Sequence, residues 1–353
     1  MNEVILNQQS KNILAIATPK ITTYTHHTHL LSILGTYERT TSWIYCNYIN
    51  IYGNADFSRN AWVDFYFPMP YLLRPAECCE WLTTQKMQRS FLTNGKQSFW
   101  EFLKYAIDEG FYVHTMLNYF HIPAAIDFKK THRLHDVLIY GYDLDKKEIY
   151  ANDFLINGES SFNVWEYQSF TIPIEHLDSA FNDYSQVADQ DFIKGNIFLY
   201  QIKEGSDYGV DPRTEAVFAS IRTYLDAAVL EYWKHYNCDN RKATVFGFDI
   251  YQSMIAYLES RPPHIDTRSF NLLADHKKLM TQRMDIIIGQ RQLDKASLQA
   301  FQDIEMQMKK IFNFLIKYNL TKQEKALMNA IQEVKRVAEN EYDLLSFILT
   351  EGT

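Results

Sequence analysis

The chain has 353 residues, a formal net charge of -8, 46% hydrophobic and 22% charged residues, and a surplus of aromatics with 24 Tyr and 23 Phe. That length suits two domains or one domain with a large extension, and the composition excludes a disordered chain. An acidic balance in which Lys129–Lys130 and Lys146–Lys147 are only isolated basic pairs argues against nucleic acid or an anionic membrane as the main partner.

From the start, the apolar run at 13–17 ends at Pro19, and residues 29–34 have helix spacing stopped by Gly35, so a strand or loop followed by a buried helix is expected. Residues 43–52 are aromatic and β-branched, which fits either a strand or one face of a helix, while 62–67 alternates like a strand. Residues 77–92 and 97–109 read as helices on the three- and four-residue recurrence of Trp81, Met87, Phe91 and then Phe99, Phe102, Leu103, Ala106, the second stopped by Gly110. Runs rich in Val, Ile and Tyr follow at 111–117, 135–143 and 148–154, the last two forming a hairpin across a tight turn in which Asp143 and Asp145 are turn residues. Two more strands are expected at 169–173 and 196–202, around a short helix at 174–182.

After a linker near 205–211 the strand signal fades. Helices are expected at 211–236, 243–260, 267–289, 293–319 and 321–349, with breaks at Gly289 and between Asn319 and Thr321. Apolar stripes such as Leu298, Phe301, Ile304, Met308, Ile311 and Leu315 call for a bundle, and a stripe wider than the bundle covers would serve as a homodimer face. The chain therefore reads as an α+β domain over 1–207 and an all-helical domain over 208–353.

No stretch reaches the roughly 18 apolar residues of a membrane helix, and the polar start lacks the basic and apolar regions of a signal peptide, so a cytoplasmic protein without a membrane partner is expected. Cys46, Cys78, Cys79 and Cys238 form neither a disulfide framework nor a CxxC zinc pattern and read as free thiols. Cys46 reads as a small buried hydrophobe. Cys78 and Cys79 stand at an expected helix start, where a thiolate is favoured, but Glu77 and Glu80 oppose it.

The segment 132–154 carries the chemistry. His135 begins an apolar strand, a tight turn follows Gly141-Tyr142-Asp143, and the return strand brings Asn152-Asp153 back to the same end. In an antiparallel hairpin such positions become neighbours, so a carboxylate can orient an imidazole. These residues resemble the His-Asp portion of papain-like proteins such as bacteriocin-processing peptidases, and more closely the N-terminal domain family of butirosin biosynthesis protein H, over about residues 20–205. The resemblance implies a papain-like fold and acyl transfer from a carrier-protein thioester to an amine, with His135 as the catalytic histidine and Asp153 its partner, or Asn152 in its place. It also implies a nucleophilic Cys at the start of the first long helix, where this sequence has Thr25 and His26. Three routes stay open: Thr25 serves as the acyl acceptor, a Cys from elsewhere does, or the chain is an inactive relative that acts as a binding or scaffolding protein. A third activity, a cysteine peptidase, is disfavoured by the same missing thiol.

Other residues read more plainly. His132 and Asp136 have no part in this reading, Asp136 being a surface or turn carboxylate. His26, His27 and His29 invite a metal, but adjacent residues point apart on a helix and no HExxH pattern is present, so neither metal nor cofactor is expected. No nucleotide-binding or nucleophile-elbow motif occurs.

Overall fold

The computed structural model describes residues 10–58, 60–67, 75–156, 165–183, 195–204, 213–229, 244–291 and 295–351. Cys238 and the expected linker near 205–211 lie outside them. The chain forms two compact units, one of residues 1–19, 24–36 and 79–205, the other of 20–23, 37–78 and 206–353.

The first unit is an α+β fold on a seven-stranded antiparallel sheet. Its strands are β1 (Lys11–Ile13), β4 (Leu82–Gln88), β5 (Tyr112–Asn118), β6 (Leu134–Asp143), β7 (Glu148–Ile156), β8 (Trp165–Pro173) and β9 (Asn196–Ile202), in the order β4-β9-β5-β6-β7-β8 with β1 also on β6. The intervening strands β2 (Ile51–Asn54) and β3 (Val63–Phe65) belong to the second unit. The helices here are α1 (Thr25–Leu34), α4 (Ser90–Asn94), α5 (Phe99–Asp108) and α6 (Ile174–Asn182).

Local chemistry explains several of these elements. Ser98 caps α5 by accepting a hydrogen bond from the Glu101 N–H, as an N-cap serine should. Gly110 takes φ +82 beyond its C-terminus while Phe111 N–H donates to Ala106 O, a left-handed stop that suits glycine. The β6–β7 hairpin turns through Lys147 at φ 57, with Asp143 Oδ1 accepting from Lys146 N–H at 3.0 Å, so Asp143 is the expected turn residue. Gly141 is where β1 crosses closely: a Cβ there would meet Ile13 Cα at 2.9 Å.

One sheet face carries an apolar core. Phe99, Leu103 and Ile107 of α5 and Leu177 and Phe181 of α6 bury against Val113, Leu117, Val137, Ile139 and Leu155. α1 packs on β6 and β7 from the opposite face, where His29 reaches Tyr167 and Asp136. The sheet is thus sandwiched, and alternation along each strand decides which layer a side chain meets.

The second unit holds α2 (Thr41–Asn47), α3 (Pro75–Cys78), a small sheet of order β10-β2-β3 from β2 (Ile51–Asn54), β3 (Val63–Phe65) and β10 (Thr244–Phe246), and the helices α7 (Thr214–Leu225), α8 (Ile250–Glu259), α9 (Arg268–Arg291), α10 (Lys295–Thr321) and α11 (Glu324–Glu351). The α10 stripe is buried at Phe301, Ile304, Met308, Ile311 and Leu315. Fully buried Arg283 donates to Tyr45 O at 2.5 Å and Tyr48 O at 2.9 Å, satisfying carbonyls at the end of α2 that the helix leaves unpaired.

Four expectations need correction. Residues 77–92 are not one helix: β4 runs through them, paired over seven residues with β9. The C-terminal part is not all-helical, because Thr244–Phe246 pairs with β2. The contiguous division at 207/208 gives way to units in which residues 37–78 belong with the helices. Gly289 does not end a helix; α9 continues to Arg291. The ambiguous stretch 43–52 is both things, the end of α2 followed by the start of β2. No helix among the described residues is long and apolar enough to cross a membrane.

A buried carboxylate in this unit yields a pH prediction. Asp275 Oδ2 accepts from Thr22 N–H at 2.8 Å and Thr23 Oγ1 at 2.7 Å. Burial outweighs these bonds and the Lys278 charge, pushing its carboxyl up to about 6. Between the ordinary Asp value and 6 the folded chain holds more proton at this group than the unfolded chain does. Stability contributed below that window is therefore lost as pH rises through it, by about 3 kcal/mol at most. Asp275→Asn stays neutral and keeps an oxygen for both donors. Its melting temperature should gain on the wild type as pH rises from 4 to 7.5; parallel melting curves for the two proteins would refute the assignment.

Candidate functional site

Strand pairing builds two side-chain clusters at one end of the large sheet. In the β5–β6 register, Leu117 faces His135, Met116 faces Asp136 and His114 faces Leu138; in β6–β7, Leu138 faces Asn152. Alternation then puts His135 and Asp153 in diagonal positions on one face, and Asp136 and His114 in diagonal positions on the face that α1 covers.

On the first face, His135 Nδ1 lies 2.5 Å from Asp153 Oδ2. Asp153 is completely buried, and its carboxylate also accepts from the Tyr119 hydroxyl and, through Oδ1, from the Phe154 N–H at 2.6 Å. A buried carboxylate needs this full set of donors. Tyr119 comes from the 3₁₀ turn after β5, and its ring lies 5.7 Å from the imidazole. The His135 side chain remains 28% exposed. Burial opposes an imidazolium there, but the Asp153 charge and hydrogen bond outweigh it, with help from Asp136 and against Arg133, and raise the His135 pKa above its ordinary value. Arg133 itself is paired with Asp127 at 2.7 Å and lies over the Tyr119 ring.

This dyad can do one thing well. Asp153 fixes the Nδ1–H tautomer and leaves Nε2 as the proton-accepting atom. Among the described residues, no Ser, Thr or Cys side chain hydrogen-bonds the His135 ring.

The remaining expected site residues lie elsewhere. Thr25 does begin α1, but its hydroxyl donates to Asp136 Oδ2 at 2.6 Å instead of facing His135. His26 stacks against Tyr24, with ring centroids 5.7 Å apart. Asn152 points to the α1 face and accepts from Ser169 Oγ at 2.7 Å, so it is no substitute for Asp153. His132 stacks on Phe120 at 4.2 Å and contacts Asp183. Cys46 is half-buried and Cys79 buried. Burial, aided by Glu77, pushes the Cys78 thiol up to about 11, and burial pushes Cys79 up to about 12, which makes both inert at neutral pH.

Asp136 is the largest departure from expectation, because it is a buried hub and not a surface carboxylate. It is 9% exposed and receives Thr25 and His114, the latter through Nε2 at 3.2 Å. Burial disfavours its charge, but the His114 hydrogen bond and the charges of His114, His29 and His135 hold its carboxyl far below the usual range.

No protein-family model matches the chain, and the curated proteins contain no match to it.

Proposed function

We propose that this protein transfers an acyl group from a carrier-protein thioester to a small amine, with His135 as general base and no acyl-enzyme intermediate. The observation that carries this reading is the His135–Asp153 pair at 2.5 Å, with Asp153 fully buried and the His135 side chain 28% exposed. The likeness of segment 132–154 to the butirosin biosynthesis protein H family, and the position of α1 on the seven-stranded antiparallel sheet beside it, are what favour acyl transfer among reactions that need a base. In the step, the amine nitrogen attacks the thioester carbonyl carbon, Nε2 accepts the amine proton, and the C–S bond breaks. The carrier thiolate then recovers that proton, leaving an amide and a free carrier thiol. Thr25, held by Asp136, plays no covalent part.

A second reading has its own support. A Thr25 hydroxyl committed to Asp136 and thiols held protonated suit a relative that binds a loaded carrier and performs no chemistry. Incubation with carriers bearing different acyl thioesters and a panel of primary amines separates the two. Amide product and released carrier thiol, followed by intact-mass spectrometry, support the transferase. A stable complex with the thioester intact supports the binding protein, and neither product nor complex removes the carrier from the proposal.

A further inference from the structure

The α1 face of the sheet holds a second cluster that the dyad does not use. His29 from α1, His114 from β5 and Asp136 from β6 are all buried, and one donor atom from each lies within 4.8 Å of the others. His114 Nε2 is 3.2 Å from Asp136 Oδ2, and His29 Nε2 is 3.3 Å from Asp136 O. Both are long for N–H···O hydrogen bonds, whose mode is about 2.9–3.0 Å. The His114–Asp136 separation is close to the ligand-to-ligand edge, about 3.4 Å, of a tetrahedron with metal–ligand arms of about 2.1 Å, while the contact to the Asp136 backbone carbonyl turns His29 Nε2 toward the same residue.

The outer side of each imidazole is also arranged for ligation. His29 Nδ1 meets the Tyr167 hydroxyl at 2.9 Å, and His114 Nδ1 meets the Tyr200 hydroxyl at 3.2 Å. Metal-bound histidines show this pattern: the distal nitrogen is anchored and the ligating one turned inward. The rings stand edge to face with centroids 4.9 Å apart. Thr25, half-buried at the start of α1, donates to the same Asp136 oxygen.

We propose that His29, His114 and Asp136 bind a divalent transition-metal ion of the zinc class, through both Nε2 atoms and the Asp136 carboxylate, with solvent in the fourth position. Two imidazoles and one carboxylate are a donor set for zinc and its first-row neighbours, in contrast to the all-oxygen sets of calcium and magnesium. On binding, His114 carries its proton at Nδ1 and donates it to Tyr200, so the neutral ring changes tautomer without net proton loss. The site stands on the opposite sheet face from His135 and Asp153 and does not depend on the transfer reaction.

The test uses the full chain, stripped with chelator, reloaded with zinc chloride alone and desalted, with metal read by mass spectrometry. About one zinc per chain is expected for the wild type and for His121→Gln, a histidine outside the cluster. His114→Gln and Asp136→Asn should fall to background, and Tyr167→Phe should weaken binding about 10- to 100-fold. Cobalt(II) loading of the wild type gives a readout independent of variant folding: intense visible bands of a four-coordinate ion are expected. Pale six-coordinate cobalt spectra, no retained zinc, or zinc retained equally by folded His114→Gln would overturn the site.

Discussion

Glu341→Ala should destabilise the helical unit by about 3–5 kcal/mol, the cost of leaving a buried cation without its counter-ion. Lys277 of α9 and Glu341 of α11 are each 1% exposed. Nζ donates to Oε1 at 2.6 Å and Oε2 at 2.7 Å, and it also meets the Tyr224 hydroxyl at 3.1 Å and His276 Nδ1 at 3.0 Å. Tyr251 donates to Oε2 at 2.8 Å and Tyr224 at 3.2 Å, so truncation strands three donors at once. Burial pulls the Lys277 pKa down even with Glu341 present; without Glu341 the ammonium loses its main support and is driven to the neutral amine. Removing both charges is milder. Lys277→Met with Glu341→Met should recover most of the loss, because an apolar pair of similar volume carries no desolvation cost and only the tyrosine hydroxyls stay unsatisfied. Urea unfolding followed by far-UV circular dichroism reads both. A single-variant loss under about 1 kcal/mol, or a double variant as weak as the single, would mean that water reaches Lys277.

What the sequence revealed depended on how local the signal was. The β6–β7 hairpin and the His135–Asp153 pairing were legible because both lie within one 23-residue stretch, where a turn fixes which residues meet. β4 escapes the sequence pattern for a physical reason: it is an edge strand, paired only with β9, and just one of its seven residues, Leu82, is buried. Trp81, Met87 and Phe91, of which only the last two keep a four-residue helical step, outweigh so faint an alternation. β10 is three residues long and pairs across almost two hundred positions with β2, so no local pattern could announce it. Tyr119, the second donor to Asp153, was hidden in a 3₁₀ turn 34 residues away from its partner. Asp136 gives no local sign of burial, because a carboxylate next to a candidate catalytic histidine reads as solvated. Its burial follows from His29 and His114, which reach it from another helix and another strand. His114 in particular carried no signal, as a lone histidine within an apolar run.

His135→Ala should lower the rate of amide formation from a loaded carrier about 10²- to 10⁴-fold, the range that a positioned general base contributes. Asp153→Asn should cost nearly as much although it leaves the imidazole in place. An asparagine oriented with its amide toward Nδ1 would donate where Asp153 accepts, favouring the Nε2–H tautomer, which has no lone pair to take a proton from the amine. It would also leave the Tyr119 hydroxyl and the Phe154 N–H to compete for one remaining oxygen. Both variants should act on kcat and leave KM for the carrier nearly unchanged, since neither residue needs to touch the carrier for the base to work. Thr25→Ala separates direct transfer from a covalent route. If His135 activates the amine itself, Thr25→Ala keeps the His135-dependent rate and no acyl group is found on the protein. If Thr25 carries the acyl group, the same variant abolishes transfer, and the wild type shows a mass increase at Thr25 when amine is withheld. Rates that survive His135→Ala within about threefold would remove the dyad from the chemistry and leave the carrier-binding reading in its place.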